Sequence, residues 1–385
     1  MMASPHHHVF MSMILLSLAA SAVAASPPTA VFAFGDSILD PGNNNGRDTI
    51  NRADHYPYGI DFPNHRPTGR FSDGKILSDF IASDLGVKDL LPAYLDPNVC
   101  NHNLTTGVSF ASAGMGLDDR TNRLTRAIDM DGQLHYFDEA VRRMENSVGS
   151  DEVKRIVSDA VYVISAGYND MLFNVYMHPG WGRHDRNPFD DWFGHHHNHD
   201  YDHGDRTERP QDDPLAYHDD LLYKLESAIQ RLYDAGARKI VILGLPPIGC
   251  FPMQVTASSL FPSNHWFQRN CDNDQNSDSE SYNNVLQSHL SSLRSNLQGL
   301  EVSYADIYTP MMDMIQDPRN YGFDETSDGC CGTGVLLEVG PLCNEISSVC
   351  DDPSKYVFFD AVHTTEVANK YISNSIKQSM PANLN

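Results

Sequence analysis

Short, wholly apolar runs alternate along this chain with longer stretches in which apolar residues recur every three or four positions. Val31-Phe32-Ala33-Phe34, Val161-Tyr162-Val163-Ile164 and Ile240-Val241-Ile242-Leu243 are of the first kind. Their length and their β-branched and aromatic content predict strands buried on both faces. Ile76, Leu77, Phe80, Ile81 and Leu85 have helical spacing and stop at Gly86, a C-cap residue. Leu134, Phe137, Val141 and Met144 predict a second helix, and Leu221, Leu222, Leu225, Ile229 and Leu232, closed by Gly236, a third. A helix is expected from Tyr282 to Leu297, a strand over Val302–Tyr308, a short extended piece at Tyr356–Phe359 and a last helix from Thr364 to Met380. This alternation predicts an α/β chain, a mainly parallel sheet covered on both faces as a three-layer α/β/α sandwich. No repeat or linker divides it, so residues 26–385 read as one domain. Such sheets carry their sites at the carboxyl ends of the strands.

Two segments depart from the pattern. Residues 11–25 are apolar and end in small residues, with Ala22-Val23-Ala24 as a cleavage sequence, so residues 1–25 read as a signal peptide. The residues before that run offer His6, His7 and His8 but no Lys or Arg. The run is too short to span a bilayer, and no later segment is long and apolar enough, so no stable membrane insertion is expected. Residues 178–213 hold His178, His184, His195, His196, His197, His199 and His203 among many aspartates, without apolar periodicity. The segment reads as a surface loop insertion; the rival reading is a site for Zn²⁺, Cu²⁺ or Ni²⁺. No metal is assigned to the chemistry.

The seven cysteines fit an oxidising compartment. Cys330, Cys331, Cys343 and Cys350 suggest loop staples, and an odd total leaves at least one thiol free or paired elsewhere. Zinc is the rival reading, which the Cys330-Cys331 adjacency and the wide gap to Cys343 disfavour. Asn103-Leu104-Thr105 is a glycosylation sequon, usable in a secreted chain. The net charge of −24 argues against nucleic acid or anionic membrane surfaces as partners.

The chemistry lies at the two ends of the mature chain. Gly35-Asp36-Ser37 directly follows the first apolar run, and Asp360-Ala361-Val362-His363 lies near the end. A serine at a strand exit can serve as nucleophile, His363 as its base and Asp360 as the group that orients the imidazole. A tetrahedral intermediate also needs donors at its oxyanion. Gly114 can offer a backbone N–H, Asn169 its side-chain amide and Ser37 its own N–H. Each piece alone has a plain structural reading as a turn, a cap or a loop glycine; their joint presence at strand exits points to acyl transfer. Ser37 is followed by Ile38-Leu39, so the GxSxG elbow of α/β-hydrolases is absent.

Ordered blocks along the chain resemble the plant-type GDSL esterase/lipases of the SGNH hydrolase superfamily. They are Phe32 to Asn44, Tyr58-Gly59-Ile60-Asp61-Phe62-Pro63, Pro67 to Gly74, Phe110-Ala111-Ser112-Ala113-Gly114, Gly167-Tyr168-Asn169-Asp170, Gly236 to Val241, Leu245 to Cys250 and Phe359-Asp360-Ala361-Val362-His363-Thr364. The resemblance implies a flavodoxin-like SGNH hydrolase fold and no cofactor. It implies Ser37, Asp360 and His363 as the triad, and Ser37, Gly114 and Asn169 as the oxyanion hole. Ser109, Thr364 and Phe359 depart from the family's frequent Asn, Pro and Trp.

The expected function is therefore a secreted, apoplastic or cell-wall serine hydrolase whose partner is an ester substrate: a lipid, an acylated polysaccharide or a small-metabolite ester. An acyltransferase using the same acyl-enzyme, and a catalytically silent extracellular binding protein, are the alternatives.

Overall fold

The computed structural model describes residues 28–177, 214–260, 269–332 and 343–380. The expected signal peptide and the His/Asp-rich segment 178–213 lie outside the described residues.

Strands β1 (Val31–Gly35), β2 (Val161–Ser165), β3 (Lys239–Leu243) and β4 (Glu301–Ala305) form a parallel sheet in that order. Every residue of β1 and β2 is buried, as continuous apolar runs demand. On the other side of β1, residues 107–112 run alongside it. Ala33 N–H donates to Val108 O at 3.2 Å, Phe110 N–H to Ala33 O at 2.7 Å and Ser112 N–H to Gly35 O at 2.8 Å. Counting that segment, the strand order is 2-1-3-4-5, the flavodoxin-like order with its crevice beside the first strand. The flanking helices fall into two groups. Met130–Val148 contacts Ser150–Asp159 and Pro214–Asp234, and the latter contacts Asn273–Asn296; Leu77–Asp84 and Tyr308–Gln316 both contact Glu366–Ser379. This is a three-layer α/β/α fold.

Beneath the site, Phe32, Phe34, Phe110, Phe137 and Tyr162 form one aromatic cluster, with ring centroids 5.1–6.2 Å apart. All five are buried, and each contributes about 2 kcal/mol through its area alone.

A second, two-stranded sheet pairs β5 (Glu325–Gly329) with β6 (Tyr356–Phe358) in parallel. Disulfides Cys330–Cys350 and Cys331–Cys343 follow β5 directly. Cys330 N–H donates to Phe358 O at 3.0 Å and Cys331 N–H to Phe359 O at 2.6 Å, so these two cysteines lie against the strand end that leads into Asp360. Each disulfide stabilises by about 3 kcal/mol. With Cys250–Cys271 also paired, the cysteine cluster is a set of staples and not a zinc site; Cys100 keeps an exposed free thiol.

Element boundaries differ from expectation in two places. The helix expected from Tyr282 begins at Asn273, because Asp272 caps it by accepting from Asp274 N–H and Gln275 N–H, and its first turns are polar. The strand expected to reach Tyr308 stops at Ala305, and Tyr308 opens the next helix, where Asp306 accepts from its N–H.

Candidate active site

Ser37 leaves the carboxyl end of β1 in a tight turn. The Asp36 carboxylate accepts from Ile38 N–H at 3.1 Å, and Leu39 N–H donates back to Asp36 O at 3.2 Å. Gly35 is required where it stands: its φ is +119°, and a Cβ there would lie 1.8 Å from the Ser165 carbonyl oxygen of β2. Gln133 clamps both sides of Gly35, accepting from its N–H at 2.7 Å and donating to its carbonyl at 2.9 Å.

The turn after β6 brings Asp360 and His363 to that serine across 326 residues of sequence. His363 Nε2 lies 2.8 Å from Ser37 Oγ. His363 Nδ1 lies 2.8 and 2.9 Å from the two Asp360 oxygens. The carboxylate also accepts the backbone N–H groups of Val362 and His363 through Oδ1 and the Tyr58 hydroxyl, at 2.7 Å, through Oδ2. Phe71 packs on the imidazole, with centroids 4.6 Å apart. Burial alone would raise the Asp360 carboxyl; the His363 charge and hydrogen bond, with the Val362 N–H and Tyr58 O–H, outweigh it and hold the group below its ordinary value.

Asn169 follows β2, and its Nδ2 donates to the Met115 carbonyl at 2.9 Å, next to Gly114. That bond ties the asparagine to the glycine loop. The second N–H of Nδ2 and the backbone N–H groups of Ser37 and Gly114 have no hydrogen-bond partner among the described residues. These are the three donors expected from the sequence. Gly114 has φ +84°, and a Cβ there would meet Asn51 Nδ2 at 2.3 Å and Thr125 Cβ at 2.9 Å. The positive φ and the close packing of Asn51 and Thr125 thus demand the glycine.

Three buried carboxyls brace this arrangement. Asp40 accepts from Gly42, Asn43 and Ala113 N–H groups and so anchors the glycine loop. Asp170 accepts from Leu117 and Asp118 N–H groups and from the Thr121 hydroxyl. Burial pushes both up to about 6, against the hydrogen bonds they accept. Asp36, held by Ile38 N–H and the Ser165 hydroxyl, is pushed by burial up to about 8.

The family departures are structurally accommodated. Ser109 Oγ donates to Leu39 O at 2.7 Å, Thr364 Oγ1 donates to Asn369 Oδ1 at 2.8 Å, and Phe359 packs against Tyr58. Two contacts were not read from the sequence: the Tyr58 hydroxyl on Asp360, and the Tyr168 hydroxyl 3.1 Å from Ser37 Oγ. Tyr58 lies in a quoted block, but nothing local ties it to a residue 302 positions away.

A cleft opens at Ser37 and His363. Its volume, including the solvent at its mouth, is about 430 Å³; beside the polar Ser37, His363, Thr364 and Asn369 its wall includes Ile38, Phe251, Ile307, Met311 and Ile372.

A serine, an imidazole and a carboxylate in hydrogen-bonded sequence, at the carboxyl end of a parallel sheet in an α/β/α fold, define a serine hydrolase. A family model described as GDSL-like lipase/acylhydrolase matches residues 31–376. The chain is 48% identical over 356 residues to GDSL esterase/lipase At2g40250 of Arabidopsis thaliana, covering 92% of this chain and 91% of that one. It is 42% identical to GDSL esterase/lipase At1g58430 of the same plant, covering 94% and 92%. The chain belongs to the GDSL lipase/acylhydrolase family. It is a carboxylic ester hydrolase. No helix among the described residues is long and apolar enough to cross a membrane.

Proposed function

We propose that the protein is a secreted serine esterase that forms an acyl-enzyme on Ser37 and holds the acyl group of its substrate in the apolar cleft. The 2.8 Å contact between His363 Nε2 and Ser37 Oγ carries this reading. His363 takes the Ser37 proton as Oγ attacks the ester carbonyl, and Asp360 steadies the imidazolium. The Ser37 and Gly114 N–H groups and the Asn169 amide receive the oxyanion. Collapse expels the alcohol with the proton from His363, and water then repeats the cycle on the acyl-enzyme.

Asn169→Ala should lower kcat by about 10²–10³ at nearly constant KM, because its donor acts in the transition state. Initial rates on a soluble ester read this; a KM rise at unchanged kcat would remove Asn169 from the oxyanion hole.

Secretion rests on a leader of signal-peptide type over residues 1–25 and on three disulfides. We read residues 26–385 as one hydrolase domain with an insertion in the sequence at about 178–213. Asn103 carries the glycan: its Oδ1 accepts from Cys100 N–H, and its Nδ2 has no partner among the described residues.

Turnover of p-nitrophenyl acetate, butyrate and palmitate tests the substrate class. Two further methylenes in the apolar cleft should raise kcat/KM for butyrate over acetate by roughly tenfold. Equal or better turnover of acetate would exclude the cleft as the acyl site. Stable labelling without hydrolysis, released by an added alcohol, would make the protein an acyltransferase.

A further inference from the structure

The Tyr168 hydroxyl lies 3.1 Å from Ser37 Oγ, and neither the triad nor the oxyanion hole uses it. Both side chains are buried, Ser37 at 2% and Tyr168 at 4% exposure. A serine hydroxyl has one proton, and in the resting triad that proton points to His363 Nε2, 2.8 Å away. The Tyr168 bond must then run the other way, with the phenol donating to an Oγ lone pair. No other hydrogen-bond partner of the Tyr168 hydroxyl occurs among the described residues.

We propose that Tyr168 is a further catalytic residue, a phenol donor that holds the Ser37 oxygen for attack and stabilises the negative charge gathering on it as its proton leaves for His363. The inference rests on the acyl-enzyme reading above. The bond strengthens as Oγ becomes more anionic, so it acts on the transition state more than on the ground state. During acylation the Oγ–H bond breaks, the Oγ–acyl bond forms, and the proton goes to His363. In deacylation Oγ regains an electron pair as the acyl bond breaks, and the same donor meets it again. Tyr168 keeps its own proton throughout. Burial, followed by the nearby Asp36 and Asp360 carboxyls, raises its phenol well above the ordinary value.

Position helps as well. Tyr168 directly precedes Asn169 in the helical turn Tyr168–Asp170 that follows β2, and Phe251 packs edge-on against its ring at 6.0 Å. Through this one turn β2 supplies a donor for the nucleophile and a donor for the oxyanion.

The test is Tyr168→Phe, which keeps the ring and its packing and removes only the hydroxyl. The second-order rate of fluorophosphonate labelling and kcat for ester turnover should each fall about tenfold, the scale of one hydrogen bond to a group gaining charge, with KM unchanged. The melting temperature separates loss of chemistry from loss of fold. Should the Phe variant melt early, 3-fluorotyrosine at position 168 keeps the hydroxyl and should retain at least half the labelling rate. Unchanged labelling and turnover in folded Tyr168→Phe would overturn the proposal, as would a raised KM at constant kcat, or a fluorotyrosine variant as slow as Phe. Wild-type protein that takes no label at all would instead refute the acyl-enzyme, a different result.

Discussion

Ser37→Ala is expected to abolish fluorophosphonate labelling and to lower kcat on p-nitrophenyl esters by about 10⁶, the scale of losing a nucleophile whose base can then activate nothing. The variant should stay folded. Ser37 lies inside a turn fixed by Gly35, Asp36 and Gln133, none of which uses its hydroxyl. Two polar atoms lose their partner, His363 Nε2 and the Tyr168 hydroxyl, at a stability cost of about 1–3 kcal/mol. Intact mass after labelling, with a melting curve beside it, checks both halves. A folded alanine variant that still takes one label would place the nucleophile elsewhere.

Asp360→Asn should be the next largest loss, about 10⁴ in kcat. The carboxylate accepts Val362 N–H, His363 N–H and the Tyr58 hydroxyl while facing His363 Nδ1 with both oxygens. An amide cannot reproduce this. Its NH₂ group must replace either Oδ2, where it meets the Tyr58 hydroxyl, or Oδ1, where it meets the Val362 and His363 N–H groups; in both places it also faces His363 Nδ1, and donating there turns the ring to the tautomer that cannot accept from serine. The pH behaviour adds a second readout. Asp360 has a folded-state pKa below its unfolded value, so its contribution to stability is complete above the unfolded value, near 4, and is lost as pH falls through the folded one. The stability difference between wild type and Asp360→Asn should therefore shrink on acidification below about pH 4. A difference independent of pH would mean that the aspartate is not held ionised by its partners.

How much of this was legible depended on where the physics was local. The strands β1, β2 and β3 could be read because burial on both faces leaves continuous apolar runs. β5 could not: Glu325-Thr326-Ser327-Asp328-Gly329 carries no apolar pattern and is a strand only because Phe358 and its neighbours pair with it. The helix over Asn273–Asn296 was half visible, since its core face starts to repeat regularly only near Tyr282 while its first turns stand on a capping aspartate. Ser37, Asp360 and His363 were proposed from residue type at strand exits, and the fold brings them within hydrogen-bond distance. Tyr58 and Tyr168 were invisible in those roles, because a tyrosine beside apolar residues reads as core. Only the tertiary structure shows what its hydroxyl touches.

The span between nucleophile and base has a temporal meaning. Ser37 is synthesised 326 residues before His363, and the turn that carries His363 directly follows β6, the strand paired with β5. On the roles proposed above, a nascent chain carries Ser37 without a base while the 326 positions up to His363 are made. Contacts between such distant residues form late, so the growing chain should be inert toward the esters of the cell that makes it.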